Sequence, residues 1–199
     1  MNKLLQVGIT GGIGSGKSLV CKIFSSLGIP IYDADSRAKW LTSNNETIKA
    51  SIIAHFGAEA YTGVGLNREY IAGRVFNNKQ ELEVLNGIIH PEVGKDYKLW
   101  VESQSSAYVI KEAALMFESG SYKVLDKVIN VTAPVPLRIQ RVLKRDAFRT
   151  EKEIQAIIDK QLSDEERIKR SDYIINNDEQ EMLIPQVLKL HEEFKSSVT

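Results

Sequence analysis

Cysteine is almost absent from this chain. Cys21 is the single thiol in 199 residues, which excludes an internal disulfide and suits a reducing compartment. Charge of one sign is lacking as well. The 26 basic residues are matched by 26 acidic ones, without the basic excess of a domain devoted to nucleic acid; a local basic patch is still allowed. No apolar run approaches the roughly 20 residues needed to span a bilayer. Lys3 and the brief apolar run behind it contain Gln6 and lead into glycines rather than a cleavage site, so they do not read as a signal peptide. The expectation is a cytoplasmic protein with neither membrane nor nucleic acid as partner. His55, His90 and His191 stand far apart, and no pair has metal-ligand spacing. Internal repeats and low-complexity segments are missing too. The apolar fraction of 43% is ordinary for a globular protein with a sizeable core, and the length suits one compact unit or a core with small insertions.

Glycine, by contrast, is concentrated. Gly11-Gly12-Ile13-Gly14-Ser15-Gly16-Lys17-Ser18 has the spacing of a phosphate-binding loop. The loop follows Leu4 to Thr10, a short run of strand formers. After it, Leu19, Val20, Ile23, Phe24 and Leu27 recur at helical spacing. Strand, loop, helix is the context the motif requires. Side chains would keep the backbone from wrapping a triphosphate. The freed N–H groups and the positive end of the new helix then attract the phosphates. Lys17 would reach the β- and γ-phosphates, and the Ser18 hydroxyl would ligate Mg²⁺. Cys21 falls in this helix and is expected to be a buried structural thiol.

Five segments have parallel-strand character: Leu4–Thr10, Pro30–Asp33, Tyr108–Glu112, Lys127–Val131 and Asp172–Asn176. Alternation with helical stretches implies a doubly wound α/β sheet of the P-loop NTPase type, with a ligand crevice at the carboxyl ends of its strands. Residues 1–35, 104–137 and 168–199 form the expected nucleotide-binding core. Residues 36–103 read as an inserted helical acceptor domain. Its apolar faces are Ile48, Ile52 and Ile53; Tyr70, Ile71, Val75 and Phe76; and Leu82, Leu85, Ile88 and Ile89. His90-Pro91 reads as a helix end, because proline disfavours helix in the residue before it. Residues 138–167 read as a mobile lid. Its first helix sets Ile139, Val142, Leu143 and Ala147 against a stripe of Arg138, Arg141, Arg145 and Arg149. Thr150-Glu151-Lys152-Glu153 then forms a capping box for a second helix. Residues 191–199 are expected to fray after a last helix.

Asp33 and Asp35 close the second strand, and alternation sends both to one side if the chain stays extended. Asp33 is placed as a general base on an acceptor hydroxyl. Asp35 supports it; the alternative for both is a pair of solvated turn aspartates or a helix N-cap. The arginine stripe is a solvated face, or else Arg141 and Arg145 close over the triphosphate, where a planar fork binds phosphate bidentately and stays charged. Closure would also exclude water as a competing acceptor. Glu112 ends the third strand, where an acid can hold Mg²⁺ directly or through water; Glu118 is a further acid of that segment.

Taken together, these residues resemble the dephospho-CoA kinase family over nearly the whole chain. Gly8 to Ser18 followed by Asp33-Ala34-Asp35 looks like the family's opening. Leu66-Asn67-Arg68, Val75-Phe76, Ile89-His90-Pro91, Leu115-Met116-Phe117-Glu118, Gln140-Arg141, Arg145-Asp146, Gln161 and Ile175-Asn176-Asn177 match its later motifs in order. The resemblance implies transfer of the γ-phosphoryl group of ATP to the ribose 3′-hydroxyl of dephospho-CoA, giving coenzyme A and ADP. By position, Asp33 is then the base, and Lys17 and Arg141 stabilise the transferring charge. Gly12, Gly14, Ser15, Gly16, Lys17, Ser18, Leu19 and Arg145 contact ATP, with Asn176 and Asn177 near its adenine. Asp35, Arg68, His90 and Glu118 serve the acceptor. Ser18 and Glu112 serve Mg²⁺. A monomer or weak homo-oligomer is expected. Leu19 stands where threonine is usual, Glu112 where aspartate is frequent, and Ala114 where proline is common. Another P-loop kinase, acting on a nucleoside monophosphate or small metabolite, would share the core and lid. A GTPase switch would need Asn-Lys-x-Asp, which Asn78-Lys79-Gln80-Glu81 fails at its last position.

Overall fold

The computed structural model describes residues 4–76 and 78–197. The chain forms two compact units, one built from the residues up to Asp33 and from Gln104 onward, the other from Ala34–Ser103. In chain order the elements are β1 Leu5–Thr10, α1 Lys17–Ser26, β2 Ile31–Asp33, α2 Ala34–Asn44, α3 Glu46–Phe56, β3 Tyr61–Thr62, β4 Gly65–Leu66, α4 Arg68–Val75, α5 Lys79–Glu102, β5 Tyr108–Glu112, β6 Lys127–Thr132, α6 Val135–Arg145, α7 Glu151–Lys160, α8 Asp164–Arg170, β7 Tyr173–Asn176 and α9 Leu183–Ser196.

The first unit holds a five-stranded sheet in the order β2-β5-β1-β6-β7, with every neighbouring pair parallel. This is the expected doubly wound sheet, and each strand lies within a residue of its predicted bounds. Pleating sends Val7 and Ile9 of β1 to one face. There they join Val20, Cys21 and Phe24 of α1 and Val187, Leu190 and Phe194 of α9 in one buried core. Gly8 points to the other face. A Cβ there would lie 2.6 Å from Met116 Sδ and 2.7 Å from Leu125 Cδ1. The missing side chain lets the segment after β5 pack directly on the central strand.

The end of the chain is more ordered than its composition suggests. Helix α9 continues to Ser196, with His191 and Phe194 buried. Tyr108 fixes it. Its hydroxyl hydrogen-bonds His191 Nδ1 at 2.8 Å, and its ring meets Phe194 edge-on at 5.3 Å. An aromatic anchor of this kind outweighs fraying up to Ser196, whereas 198–199 lie outside the described residues.

The second unit is helical, with a core of Leu41, Ile48, Ile52, Phe56, Ile71, Leu85, Val93 and Tyr97. Asn45, Asn67 and Asn78 cap α3, α4 and α5 by accepting from the third backbone N–H of each. Arg37 of α2 grips Asp96 of α5 with two 2.7 Å bonds. Phe76 and Leu82, expected on apolar faces, are 73% and 41% exposed. The β3–β4 hairpin is too short for alternation to signal it.

His90-Pro91 does not end a helix; α5 runs 24 residues with Pro91 inside it. A proline ring crowds the carbonyl four residues back and leaves it unbonded. That carbonyl belongs to Gly87, where a Cβ would meet nothing within 4 Å. The position is exposed, so water can serve the carbonyl and the helix continues.

Candidate active site

The phosphate loop leaves β1 at Thr10, in the middle of the sheet, and enters α1 at Lys17. Helix α1 begins behind Gly16, at φ 97, with no side-chain cap and no acid in its first turn. Its first N–H groups and its positive end are therefore left for an anion. Register then brings the acids together. Glu112 of β5 pairs with Ile9 of β1 on one side and with Asp33 of β2 on the other. Adjacent strands run about 4.8 Å apart, so Asp33 and Glu112 sit side by side at the carboxyl edge beside the loop. Ser18 donates its hydroxyl to Glu112 Oε1 at 2.9 Å. Lys17 Nζ folds back over the loop onto the Gly11 carbonyl at 3.0 Å and that of Gly12 at 3.4 Å. Beneath them Cys21 is buried, as expected. Burial pushes its thiol well above the usual range, and Glu112 adds to the shift. It is a neutral floor rather than a nucleophile.

Ser18 and Glu112 supply two hard oxygen donors in contact. That set fits Mg²⁺, which takes one or two protein oxygens and completes its shell with water and phosphate. No cluster of three or more His, Cys, Asp or Glu able to hold a metal alone occurs among the described residues.

The loop is packed as tightly from behind. A Cβ on Gly12 would overlap the Arg138 guanidinium, one on Gly14 the Arg138 backbone, and one on Gly16 the Asn177 side-chain amide. The glycines thus serve the protein's own packing, and not only access for a ligand. Arg138 is the main departure from the sequence pattern. Counted with an exposed arginine stripe, it is in fact 1% exposed. Its Nε donates to the Ile13 carbonyl at 2.8 Å and its Nη1 to Asp164. Burial pulls its guanidinium below the usual range, and Asp164 opposes the change. One signal was legible: Arg138 lies four residues before Val142, which is also buried, so the two share a face. The roles of Asp164 and Arg167 had no signal of their own.

Arg141 and Arg145 line a cleft with Gly14, Gly16, Lys17, Ser18, Leu19 and Val142. Arg141 donates to the Asn177 carbonyl at 3.0 Å and to Glu179 Oε1 at 3.0 Å. Arg145 forms a two-point contact with Asp146, at 2.9 and 2.8 Å. That bond holds the Asp146 carboxyl below its ordinary range, helped by Arg149. Thr150 and Glu153 form the expected capping box at the start of α7. Asn177 is 7% exposed and donates its amide to the Ser15 carbonyl at 2.7 Å. Asn176 contacts Glu181 and, through its backbone, Gln186. Glu118 accepts from the Leu162 N–H at 2.8 Å.

Asp35, Arg68 and His90 belong to the second unit. The chain does not stay extended past Asp33. It turns into α2 at Ala34, which puts Asp35 in the first turn of a helix. The expected same-side alternation of the two aspartates is therefore lost.

Known proteins resemble this chain in sequence and in fold. The model of the family described as dephospho-CoA kinase matches residues 5–182. The dephospho-CoA kinase of Porphyromonas gingivalis is 37% identical over 189 residues, covering 95% of this chain and 94% of its own. Among solved structures, a Thermus thermophilus protein superposes with a TM-score of 0.84 at 28% identity, over 98% of both chains. The dephospho-CoA kinase of Campylobacter jejuni does so with a TM-score of 0.67 at 27% identity, again over 98% of both chains.

Proposed function

We propose a division of catalytic labour for this chain, which belongs to the dephospho-CoA kinase family. It is a kinase that phosphorylates dephospho-CoA at the expense of ATP, in coenzyme A biosynthesis. The finer assignment concerns the acceptor atom and the groups that act on it. The acceptor is the ribose 3′-hydroxyl. Asp33 takes its proton as the oxygen attacks the γ-phosphorus. The bond from that phosphorus to the β,γ-bridging oxygen breaks, and ADP leaves. Lys17 and Arg141 hold the negative charge spread over the transferring group. Ser18 and Glu112 hold Mg²⁺, which neutralises phosphate charge when bound. Gly12, Gly14, Ser15, Gly16 and Leu19 present the loop to the polyphosphate, and Arg145 approaches it from the side. Asn176 and Asn177 border the nucleotide; Asp35, Arg68, His90 and Glu118 shape acceptor binding.

Residues 36–103 act as the acceptor domain and 138–167 as a lid on a core formed by 1–35, 104–137 and 168–199. Arg141 takes up its catalytic position by exchanging Glu179 for phosphate. The pair is half-open to water, so its release costs little. No described helix is long and apolar enough to cross a membrane. The enzyme works in the cytoplasm, as a monomer or a weak homo-oligomer.

The observation that carries this reading is the Ser18–Glu112 contact at the mouth of the loop with Asp33 in register beside it. An assay of ADP release with dephospho-CoA, adenosine, AMP and shikimate tests it. Turnover with dephospho-CoA and a 3′-phosphorylated product is expected. Preference for one of the other acceptors would overturn it.

A further inference from the structure

Ile13 is held at both of its peptide groups. Its N–H donates to Gln161 Oε1 at 2.9 Å, and its carbonyl accepts from Arg138 Nε at 2.8 Å. The two holders lie at opposite ends of one helical arm: Arg138 in the opening turns of α6, Gln161 just past α7. The turn carrying Gln161 is itself fastened. The Leu162 N–H donates to Glu118, and the Leu162 carbonyl accepts from Arg167. Arg167 and Arg138 both donate to Asp164, and they are 2% and 1% exposed.

Two features of this cluster exceed what packing requires. First, two enclosed guanidinium groups share the Asp164 carboxylate, and the other acid of the cluster, Glu118, is engaged by the Leu162 N–H. Enclosed charge of this kind is costly, and its field is poorly screened. Second, Arg138 Nη2 is buried without a hydrogen-bond partner among the described residues, at a place where a Cβ on Gly12 would collide with it. The guanidinium is pressed against the loop although one of its donors goes unmet.

We propose that Gln161 and Arg138 are positioning residues for the nucleotide. Together they fix the phosphate loop at Ile13 in its polyphosphate-accepting shape, and the charge they enclose strengthens the hold on that polyphosphate. The proposal deepens the kinase reading and rests on it for the nucleotide concerned. It also makes the ends of the α6–α7 arm part of the nucleotide site, so that the arm and the loop respond to each other.

The test is calorimetric titration of the full chain with Mg·ATP, comparing wild type with Gln161→Ala and Arg138→Met. Hydrogen exchange is followed over residues 11–16, and KM is measured for both substrates. Loss of the Gln161 acceptor should weaken ATP binding about tenfold, the scale of one hydrogen bond in a tight site. Loop exchange should quicken, while acceptor KM and the nucleotide-free melting temperature hold. Arg138→Met should weaken ATP binding further. If that variant does not fold, Gln161→Ala decides alone, since Gln161 lies past the helix at a partly open position. Unchanged ATP affinity and loop exchange in Gln161→Ala would overturn the proposal. So would parallel losses of ATP affinity, acceptor affinity and melting temperature. Should wild type bind ATP yet leave dephospho-CoA unphosphorylated, the functional reading fails while the ATP comparison still judges this proposal.

Discussion

Asn177 donates its side-chain amide to the Ser15 carbonyl at 2.7 Å, a bond between residues 162 positions apart. The same residue receives Arg141 on its own carbonyl at 3.0 Å. The end of the last strand thereby braces both the phosphate loop and an arginine of the cleft. Asn177→Ala leaves the Ser15 carbonyl buried without this donor, at a cost of about 1–3 kcal/mol. A lowered melting temperature together with weaker ATP binding is expected. Unchanged values for both would show that the brace is dispensable.

Asp33→Asn keeps the shape of the strand end and removes the proton acceptor. Turnover should fall by about 10²–10⁴-fold, the usual contribution of a general base. ATP affinity should stay near wild type, because Asp33 faces the acceptor in the proposed mechanism. Single-turnover kinetics alongside equilibrium ATP binding separate the two effects. Wild-type turnover in this variant would remove the base assignment.

Ser18→Ala and Glu112→Gln each remove one member of a 2.9 Å pair. If the pair holds Mg²⁺, both variants should need more of it for half-maximal rate, with partial recovery at high concentration. A magnesium titration of initial rate is the measurement. Loss of rate with no change in the Mg²⁺ requirement would place the metal elsewhere.

Arg141 is tied to Glu179 at 3.0 Å. Arg141→Ala should lower kcat more than it raises the KM of the acceptor. Glu179→Gln should do the reverse of harm and bind ATP slightly more tightly, within the roughly 1 kcal/mol such an exposed pair is worth. A defect in Arg141→Ala confined to acceptor affinity would contradict its role over the phosphates.

Much of the fold was legible. The strands are short apolar runs bounded by breakers, and Gly11 to Ser18 announces its own place between strand and helix. Asp33 and Glu112 were legible as strand ends, and the capping box at Thr150 as a local hydrogen-bond pattern. What misled were positions where solvent or long-range packing decides. Pro91 reads as a terminator in a local window, yet an exposed glycine four residues back lets the helix pass. Arg138 reads as surface from its charge, yet Asp164 and the Ile13 carbonyl make burial tolerable. His191 and Phe194 look like a tail until Tyr108 meets them.

The order of residues alone therefore determined the alternation of strand and helix and the glycine turn, because these depend on backbone freedom and periodicity over a few residues. Which side chains touch was decided only in three dimensions. Strand register set Asp33 beside Glu112, and packing drove Arg138 and Asn177 against the back of the loop. Such contacts join positions far apart in the sequence, up to 162 residues for Asn177 and Ser15, and a buried charge or amide is satisfied only by partners that the completed fold carries to it.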